Sequence, residues 1–255
     1  MKKKLLLNLL IFAVFSALVI SCSSEATNPE QNGTLNLYLT DAQTDYDEVN
    51  ITFSEISAHI DSDWVTVLGE EVMVNLLDYN NGKTFLLASE PLPIGKYTQI
   101  RLHITDANVV VDNETIPMKV PSEKLKLGPQ FTMEEGIAFG LIMDFDASRS
   151  VVVSGPKDNP KYKLKPHIRV VPEAVTGSIS GNVLNHQDYP IAYAIVAGDT
   201  VATSIVKDDG TFVLGFLEGE THQVDIQDSV GLYHSESGVS VIIGENTDLG
   251  DITLQ

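Results

Sequence analysis

The sequence is poor in cysteine, tryptophan and basic residues. Its 255 residues include one Cys and one Trp, and 16 Lys and Arg stand against 35 Asp and Glu. A single Cys excludes a disulfide framework within the chain and any metal site built from several thiolates. The formal net charge of −19 repels phosphate backbones, so we expect no nucleic acid as a partner.

Recognisable catalytic motifs are also missing from the sequence. The six histidines stand singly, without the i, i+4 pairing of helical zinc sites. Residues 177–181 read Gly-Ser-Ile-Ser-Gly, which places Ile179 where a serine hydrolase carries its nucleophile. We therefore expect no enzyme and no cofactor. A hydrolase that uses a carboxylate pair stays open, because two acids can meet in space from any two positions.

The N-terminus has the pattern of a secretory signal. Lys2, Lys3 and Lys4 precede a run from Leu5 to Ile20 that is apolar except for Asn8 and Ser16. This run is shorter than the roughly 20 apolar residues that a membrane-spanning helix needs. Residues 1–21 are therefore predicted to be a signal peptide.

The end of this run, Val19-Ile20-Ser21-Cys22, resembles a bacterial lipobox. The resemblance implies that the Cys22 thiol is acylated, for example with palmitate, and that Cys22 becomes the new N-terminus on the membrane. Residues 22–32 then form a flexible tether, since Ser23 to Asn32 contains no large apolar residue. Cys22 is followed by Ser23 and Ser24 and not by Asp, which resembles Gram-negative lipoproteins that are sorted to the outer membrane. Whether the protein faces the periplasm or the medium stays open. Ordinary signal cleavage near Ser21, which would leave Cys22 unmodified, is the alternative.

Apolar residues alternate with period two from Gly33 onward, which predicts an all-β protein of two consecutive β-sandwich domains. Apolar residues of opposite parity flank Ser54 and Glu55, and a bulge there would keep both sets inside. The predicted core positions are Leu35, Leu37, Leu39, Val49, Ile51, Phe53, Ile56, Ala58, Ile60, Ile100, Leu102, Ile104, Ile137, Phe139, Leu141, Met143 and Phe145. Arg101 lies between core positions on the opposite face of its strand.

Two breaks interrupt the alternation. Residues 75–89 do not alternate and predict one or two short helical turns. Pro172 and the small residues after it predict a boundary between domains at 33–173 and 176–255. The second domain contains about seven predicted strands, and Asp208-Asp209-Gly210 predicts a hairpin turn, because Gly permits the positive φ of tight turns.

Two stretches resemble known families. The first stretch comprises Gly33-Thr34-Leu35-Asn36-Leu37-Tyr38-Leu39-Thr40-Asp41-Ala42, Trp64 to Leu68, Pro93 to Arg101, Asp144 to Ala147 and Tyr162 to Val170. It resembles domain of unknown function 4382, which implies a lipoprotein and no known activity. The second stretch comprises Gly177 to Val183, Ile191 to Val196, Asp208 to Phe212 and Leu217 to Val224. It is similar to the carboxypeptidase-regulatory-like domain. That resemblance implies a transthyretin-like sandwich grouped with carbohydrate-binding-type folds.

Clusters of carboxylates suggest calcium as a ligand, because Ca²⁺ takes 6 to 8 oxygen atoms and Asp-rich loops can supply them. Solvated loop acids are the alternative, since no EF-hand spacing appears. The candidate calcium ligands are Asp41, Asp45, Asp47, Asp144 and Asp146.

Aromatic residues beside polar ones suggest a glycan site, because a sugar offers both an apolar CH face and hydroxyl groups. Trp64 opens a strand, and core packing is its alternative role. The candidate ligand-binding residues are Tyr189, Asn185, His186, Asp188, Tyr233, His234 and Trp64. Lys161, Lys163 and Lys165 share one strand face and either hold an anionic ligand or pair with nearby carboxylates.

The sequence therefore predicts a lipid-anchored protein of the cell envelope that binds rather than catalyses. Its expected ligand is a glycan or another envelope protein, and adhesion at the cell surface is one such role. The alternative is a structural or assembly subunit that interacts through unpaired strand edges.

Overall fold

A computed structural model describes residues 31–42, 44, 46–120, 124–156 and 160–255. The described chain is mostly β-strand, which confirms the predicted all-β fold class. Asn32–Gln255 forms one compact unit. Within the described residues, helices are too short or too polar to span a bilayer. The predicted signal peptide, Cys22 and most of the tether lie outside the described residues.

The strands of the first half, in chain order, are β1 (Asn32–Ala42), β2 (Glu48–Ile60), β3 (Asp63–Leu68), β4 (Val72–Asn75), β5 (Phe85–Pro93), β6 (Gly95–Val111), β7 (Glu114–Lys119), β8 (Leu125–Leu127), β9 (Phe131–Met133), β10 (Ala138–Asp146), β11 (Val151–Ser154), β12 (Lys161–Leu164) and β13 (Ile168–Pro172). Those of the second half are β14 (Thr176–Val183), β15 (Ile191–Val196), β16 (Asp199–Ile205), β17 (Thr211–Glu218), β18 (Thr221–Gln227), β19 (Tyr233–Ser240) and β20 (Asn246–Ile252). A short helix α1 spans Ala147–Ser150, and 3-10 turns span Leu76–Tyr79 and Glu173–Val175.

The first half is a sandwich of two sheets. One has the order β13-β10-β1-β5, with β1 parallel to β10. The other, which we call the large sheet, follows β11-β12-β7-β6-β2-β3, with β4 attached to β2 and with β8 and β9 attached to β6. Alternate residues of both sheets point inward, so their apolar faces meet in one core.

The core of this half matches the alternation in sequence. Leu35, Leu37 and Leu39 of β1 are fully buried opposite Val49 and Ile51 of β2. The predicted bulge is confirmed, because the pairing of β2 with β6 shifts register between Phe53 and Glu55. Because of this shift, the odd-numbered residues before the bulge, from Val49 to Phe53, and the even-numbered residues after it, Ile56 and Ala58, are all buried in the core.

One prediction for the first half needs correction. Ile137 is 52% exposed and precedes β10, so it does not belong to the apolar face that Leu141, Met143 and Phe145 form. The prediction of one or two short helical turns in residues 75–89 is confirmed by the turn Leu76–Tyr79, and the apolar residues from Phe85 onward belong to β5. Pairing with β1 decides the conformation there, since β5 runs antiparallel to it.

The second half is a smaller sandwich with its own core. Its sheets have the orders β17-β14-β20 and β16-β15-β18-β19, and Phe212, Leu214, Val224 and Ile226 are fully buried between them. The predicted hairpin at Asp208-Asp209-Gly210 is wrong. The turn exists, with Gly210 at φ 86°, but it connects β16 and β17, which lie in different sheets.

The loop that contains Asn81 joins the two halves. The Asn81 Oδ1 atom accepts hydrogen bonds from Ser204 Oγ at 2.8 Å and from the Val213 backbone N–H at 3.2 Å. Gly82 and Gly215 lie so close that a Cβ on Gly215 would be 3.2 Å from the Cα of Gly82. The division into independent domains at 33–173 and 176–255 stays a prediction, since each half has its own core yet both belong to one compact unit.

We expect His222 to make the stability of the fold depend on pH. His222 of β18 is 2% exposed, and its burial lowers its pKa from the usual 6.5, although the Glu220 carbonyl and carboxylate act in the opposite direction. The unfolded chain therefore binds this proton more tightly, so His222 stabilises the folded state above about pH 6.5, and this contribution is lost as the pH falls through that value. Between about pH 7.5 and 5.5, the thermal unfolding midpoint should fall less for His222→Gln than for the wild type. Parallel pH profiles for the two proteins would contradict this assignment.

Candidate functional site

The structure brings both candidate tyrosines to one end of the second sandwich. Tyr189 is 63% exposed and Tyr233 is 42% exposed. Ile191, two residues after Tyr189, pairs with Gln227, which in turn pairs with Tyr233. Exposed Leu184, Val230 and Leu232 flank these tyrosines in the chain. We call the five residues Leu184, Tyr189, Val230, Leu232 and Tyr233 the distal surface.

Backbone hydrogen bonds hold the distal surface in place. Tyr233 and Gln255 exchange backbone hydrogen bonds of 3.0 and 3.1 Å, and the Leu184 N–H donates to the Ile252 carbonyl. The Asp228 Oδ1 atom accepts hydrogen bonds from the backbone N–H groups of residues 230, 231 and 232, at 3.1, 2.7 and 2.7 Å. The exposed side chains of the distal surface therefore stand on ordered loops and, for Tyr233, at the start of β19.

The polar neighbours of the tyrosines have different roles. Asn185 exchanges hydrogen bonds with the Leu254 backbone, at 2.9 and 3.1 Å, and the His186 ring nitrogens lie 2.8 and 3.0 Å from the carbonyls of Val183 and Asp208. These two side chains therefore support the loops, and Asp188 is exposed beside Tyr189. His234 lies 3.9 Å from a Glu236 carboxylate oxygen.

The Asp225 Oδ1 atom accepts hydrogen bonds from Gln223 Nε2 at 2.9 Å and from Ser235 Oγ at 2.7 Å. Burial raises the pKa of Asp225, but hydrogen bonds from Gln223, Ser235 and Tyr233 outweigh burial and leave this pKa below its usual value. The Tyr233 side chain stays partly open to solvent.

Trp64 lies on the solvent side of the large sheet and is not a core residue. Its strand neighbours Val65 and Val67 point into the core, and Trp64 has the opposite parity. The Arg101 guanidinium carbon lies 3.6 Å from the centroid of the Trp64 ring, and the His59 ring lies at 4.9 Å with a tilt of 53°. Because these side chains contact its ring, Trp64 supports Arg101 instead of offering an open platform to a sugar.

Sequence reasoning did not select Arg101, His59 or Lys126 as functional residues. Arg101 pairs with Ser57 on β2 and with Lys126 on β8, and His59 pairs with Trp64 on β3. The sequence did contain one indication, since Arg101 alternates with core residues and therefore lies on the outward face of its strand. The partners could not be found from the sequence, because cross-strand register depends on contacts that are distant along the chain.

The candidate calcium ligands in the first half have structural partners. The Asp41 Oδ1 atom accepts from the Ala147 N–H at 2.8 Å, and Asp47 Oδ2 accepts from the Asn113 N–H at 3.2 Å. Asp146 caps α1, because its Oδ1 atom accepts from the Arg149 N–H at 3.0 Å. Asp45 lies outside the described residues.

Asp144 lines a cavity between the two halves. This cavity of about 310 Å³ also contains Asp146, Arg149 and His167 of the first half and residues 200–203 of β16. Arg169 donates to Asp144 Oδ2 at 2.8 and 3.3 Å. Burial raises the pKa of the Asp144 carboxyl, and the Arg169 charge opposes that rise.

Among the described residues, no group of three or more His, Cys, Asp and Glu side chains is placed to hold a metal ion. The calcium site therefore stays a prediction, and the carboxylates around it act in the structure as a helix cap, a turn acceptor and an ion-pair partner. The lysines in and directly after β12 behave differently. Lys161, Lys163 and Lys165 are exposed and form no ion pair with any described carboxylate.

Several solved bacterial structures are similar to this chain at low sequence identity. The Bacillus anthracis TIE protein is 12% identical, with 88% of this chain and 34% of that chain covered and a TM-score of 0.21. The shaft pilin SpaA from Lactobacillus rhamnosus GG is 10% identical over 88% of this chain and 97% of that chain, with a TM-score of 0.24. A putative adhesin from Bacteroides ovatus ATCC 8483 is 8% identical over 89% and 93%, with a TM-score of 0.20.

The chain thus spans about a third of the TIE protein chain and nearly all of the other two. No curated protein sequence matches it. The model of the family described as domain of unknown function (DUF4382) matches residues 32–166, which is more than half of the 255 residues. This chain therefore belongs to the DUF4382 family.

Proposed function

We propose that this protein is a lipid-anchored protein of the cell envelope that acts as a non-catalytic carbohydrate-binding module. The lipid on Cys22 would hold it at the outer membrane, and residues 22–32 would separate the sandwiches from the bilayer. Adhesion at the cell surface is the role that such a module would serve. The single observation that carries the binding role is the distal surface, where two tyrosines are exposed, one on an ordered loop and one at the start of β19.

The chemistry of the distal surface suits a sugar ring. An aromatic ring can stack on the CH face of a sugar, and a phenol or carboxylate can bond its hydroxyl groups. Tyr189 and Tyr233 supply the rings, and Asp188 is an exposed carboxylate beside one of them. Contiguous exposed apolar side chains on a folded domain are typical of binding sites.

The resemblance of residues 176–255 to the carboxypeptidase-regulatory-like domain supports the same role. The separate core of this half is consistent with a module that presents loops from a rigid sandwich. A fold shared with carbohydrate-binding modules is an association only, so the role depends on the two tyrosines.

We expect Cys22 to control membrane attachment. When the full chain is expressed in a Gram-negative bacterium and labelled with palmitate, the wild type should carry label and sediment with the outer membrane. Several acyl chains anchor a protein stably, at about 0.8 kcal/mol per buried CH₂ group. Cys22→Ser should carry no label and should leave the outer-membrane fraction, whereas Ser24→Ala should behave like the wild type. Label on Cys22→Ser, or an unlabelled wild type, would refute the anchor.

We expect the two distal tyrosines to carry glycan binding. On a glycan array probed with the full chain, Tyr189→Ala and Tyr233→Ala should each weaken binding by roughly 3- to 10-fold, as expected from the loss of one aromatic stacking contact. Tyr189→Phe is the matched control, because it keeps the ring and removes only the hydroxyl. Binding that is unchanged in both alanine variants would exclude the distal surface as the glycan site.

An assembly role is the second candidate, and strand β19 favours it. β19 lies at the edge of the sheet β16-β15-β18-β19, and most of its side chains are exposed. A free edge can pair with a strand of another chain.

For an assembly subunit, we expect sedimentation of the full chain to show oligomers that dissociate in either Ser235→Pro or Glu236→Pro. The backbone N–H groups of adjacent strand residues point to opposite sides, so only one of these prolines removes a donor from the free edge. The other proline removes a donor that faces β18 and should lower the unfolding midpoint instead. A monomeric wild type would exclude assembly through β19.

A further inference from the structure

The outer face of the large sheet, which is the face opposite its core, collects basic side chains. Ile100, Leu102 and Ile104 of β6 point inward, so Arg101 and His103, which alternate with them, point outward. Directly paired residues place their side chains on the same face, which extends this face to neighbouring strands. By register, the basic residues of the outer face are Lys96, Arg101, Lys119, Lys124, Lys126, Lys161 and Lys163.

Arg101 is held in a position to bind an anion. Its guanidinium stacks on Trp64 with the carbon 3.6 Å from the ring centroid. Arg101 makes no hydrogen bond or ion pair with any described residue, so its N–H groups are available at the edge of the stacked plane. A guanidinium fork matches a carboxylate with two parallel hydrogen bonds, and stacking fixes the fork before the ligand arrives.

Polar groups suited to the same ligand surround Arg101. Lys126 lies directly across from Arg101 on β8 and is exposed. Ser57, which is opposite Arg101 on β2, is 3% exposed, and its hydroxyl has no partner among the described residues. Gln99 and Thr66 are exposed on the neighbouring pairs of the same face. The neighbourhood thus combines two free cations with hydroxyl and amide groups.

A second basic group lies further along the same face. Lys119 of β7 pairs directly with Lys163 of β12, and Lys161 has the same parity. None of these three lysines forms an ion pair with a described carboxylate. An extended anionic chain could therefore contact the face at more than one place.

The acids on this face leave its charge positive. Glu48, Glu55 and Asp106 share the outward parity, and Glu71 accepts a hydrogen bond from Thr105 of the same face, so four acids stand against seven basic residues. Lys124 bonds Glu55 at 2.6 Å, and this contact holds the pKa of Glu55 below its usual value despite some burial. At physiological ionic strength charges are screened over about 8 Å, so a ligand on this face senses these residues more than the net charge of −19.

We propose that the outer face of the large sheet binds an acidic polysaccharide, with a sugar carboxylate held by Arg101 and Lys126. The inference rests on the proposed glycan-binding role and names the chemical class of the ligand, at a site other than the distal surface. A polysaccharide suits the face better than a phospholipid surface. The hydroxyl groups of a sugar can bond the exposed Gln99 and Thr66 beside Arg101, whereas a phospholipid surface offers mainly its phosphate groups.

The test measures binding of the full chain, in detergent, to an oligogalacturonate, to neutral dextran and to vesicles that contain phosphatidylglycerol. The oligogalacturonate should bind to the wild type. Any binding of neutral dextran should be the same in the wild type and in Arg101→Gln. Arg101→Gln and Lys126→Gln should each weaken oligogalacturonate binding by about tenfold or more, as expected for a lost charge-assisted hydrogen bond. Lys207→Gln is the matched control, because it removes one lysine from the second sandwich and should leave binding unchanged.

Arg101→Lys adds a readout that tests the geometry. A lysine keeps the charge but cannot make the planar fork, so this variant should bind more weakly than the wild type. Circular dichroism of each variant should match the wild type, since these side chains lie on the solvent face.

Each outcome either supports or overturns the inference. Oligogalacturonate binding that survives Arg101→Gln but is lost in Tyr189→Ala would overturn it and leave the distal glycan site standing. Binding that depends on Arg101 and not on the distal tyrosines would support it and exclude the distal surface as the oligogalacturonate site. Binding to the vesicles alone, lost in Arg101→Gln, would overturn it in favour of a membrane surface. An oligogalacturonate that does not bind the wild type would also overturn it.

Discussion

The large sheet presents polar and charged side chains to solvent on one face because its other face packs on the first core. β2 and β6 run antiparallel over most of their length, and their inward side chains, from Val49 to Ala58 and from Tyr97 to Val109, form the centre of the first core. Burying apolar surface contributes about 25 cal/mol per Å², which makes any slip of register costly. The outward residues do not have to fill the core, so charged and polar side chains are tolerated there. Arg101, Lys126 and Trp64 occupy such positions.

The contact between the halves has a related consequence for strand edges. β16 and β17 are edges of different sheets of the second sandwich, and the Asn81 side chain accepts hydrogen bonds from both strands. These edges are therefore partly covered by the first half, and the backbone approach of Gly82 to Gly215 leaves little room for a side chain there. The exposed edge at β19 and the distal surface lie on strands and loops that Asn81 does not contact. The surfaces open to partners are thus determined partly by where the halves meet.

Local patterns in the sequence predicted strands and core faces well, and long-range pairing poorly. The parity change around Ser54 predicted the bulge correctly, because burial of both parities leaves few alternatives. Asp208-Asp209-Gly210 predicted a turn correctly but a hairpin wrongly, since turn residues fix a local φ and say nothing about which sheet the next strand joins. Trp64 shows the same limit for the site. Its parity was readable, but its contacts with Arg101 and His59 come from β6 and β2, which only the fold brings beside β3.

Charge is distributed unevenly enough to influence how such a protein meets its surroundings. The second half contains a single basic residue, Lys207, while the outer face of the large sheet carries seven. A neutral ligand would experience little of this difference, whereas an anionic one would be repelled by most of the surface and attracted by one face. Because screening limits such attraction to about 8 Å at physiological ionic strength, the face acts on ligands that already lie against it. Selectivity for anions would then depend on contact geometry, above all on the stacked Arg101, and only weakly on the charge of the whole molecule.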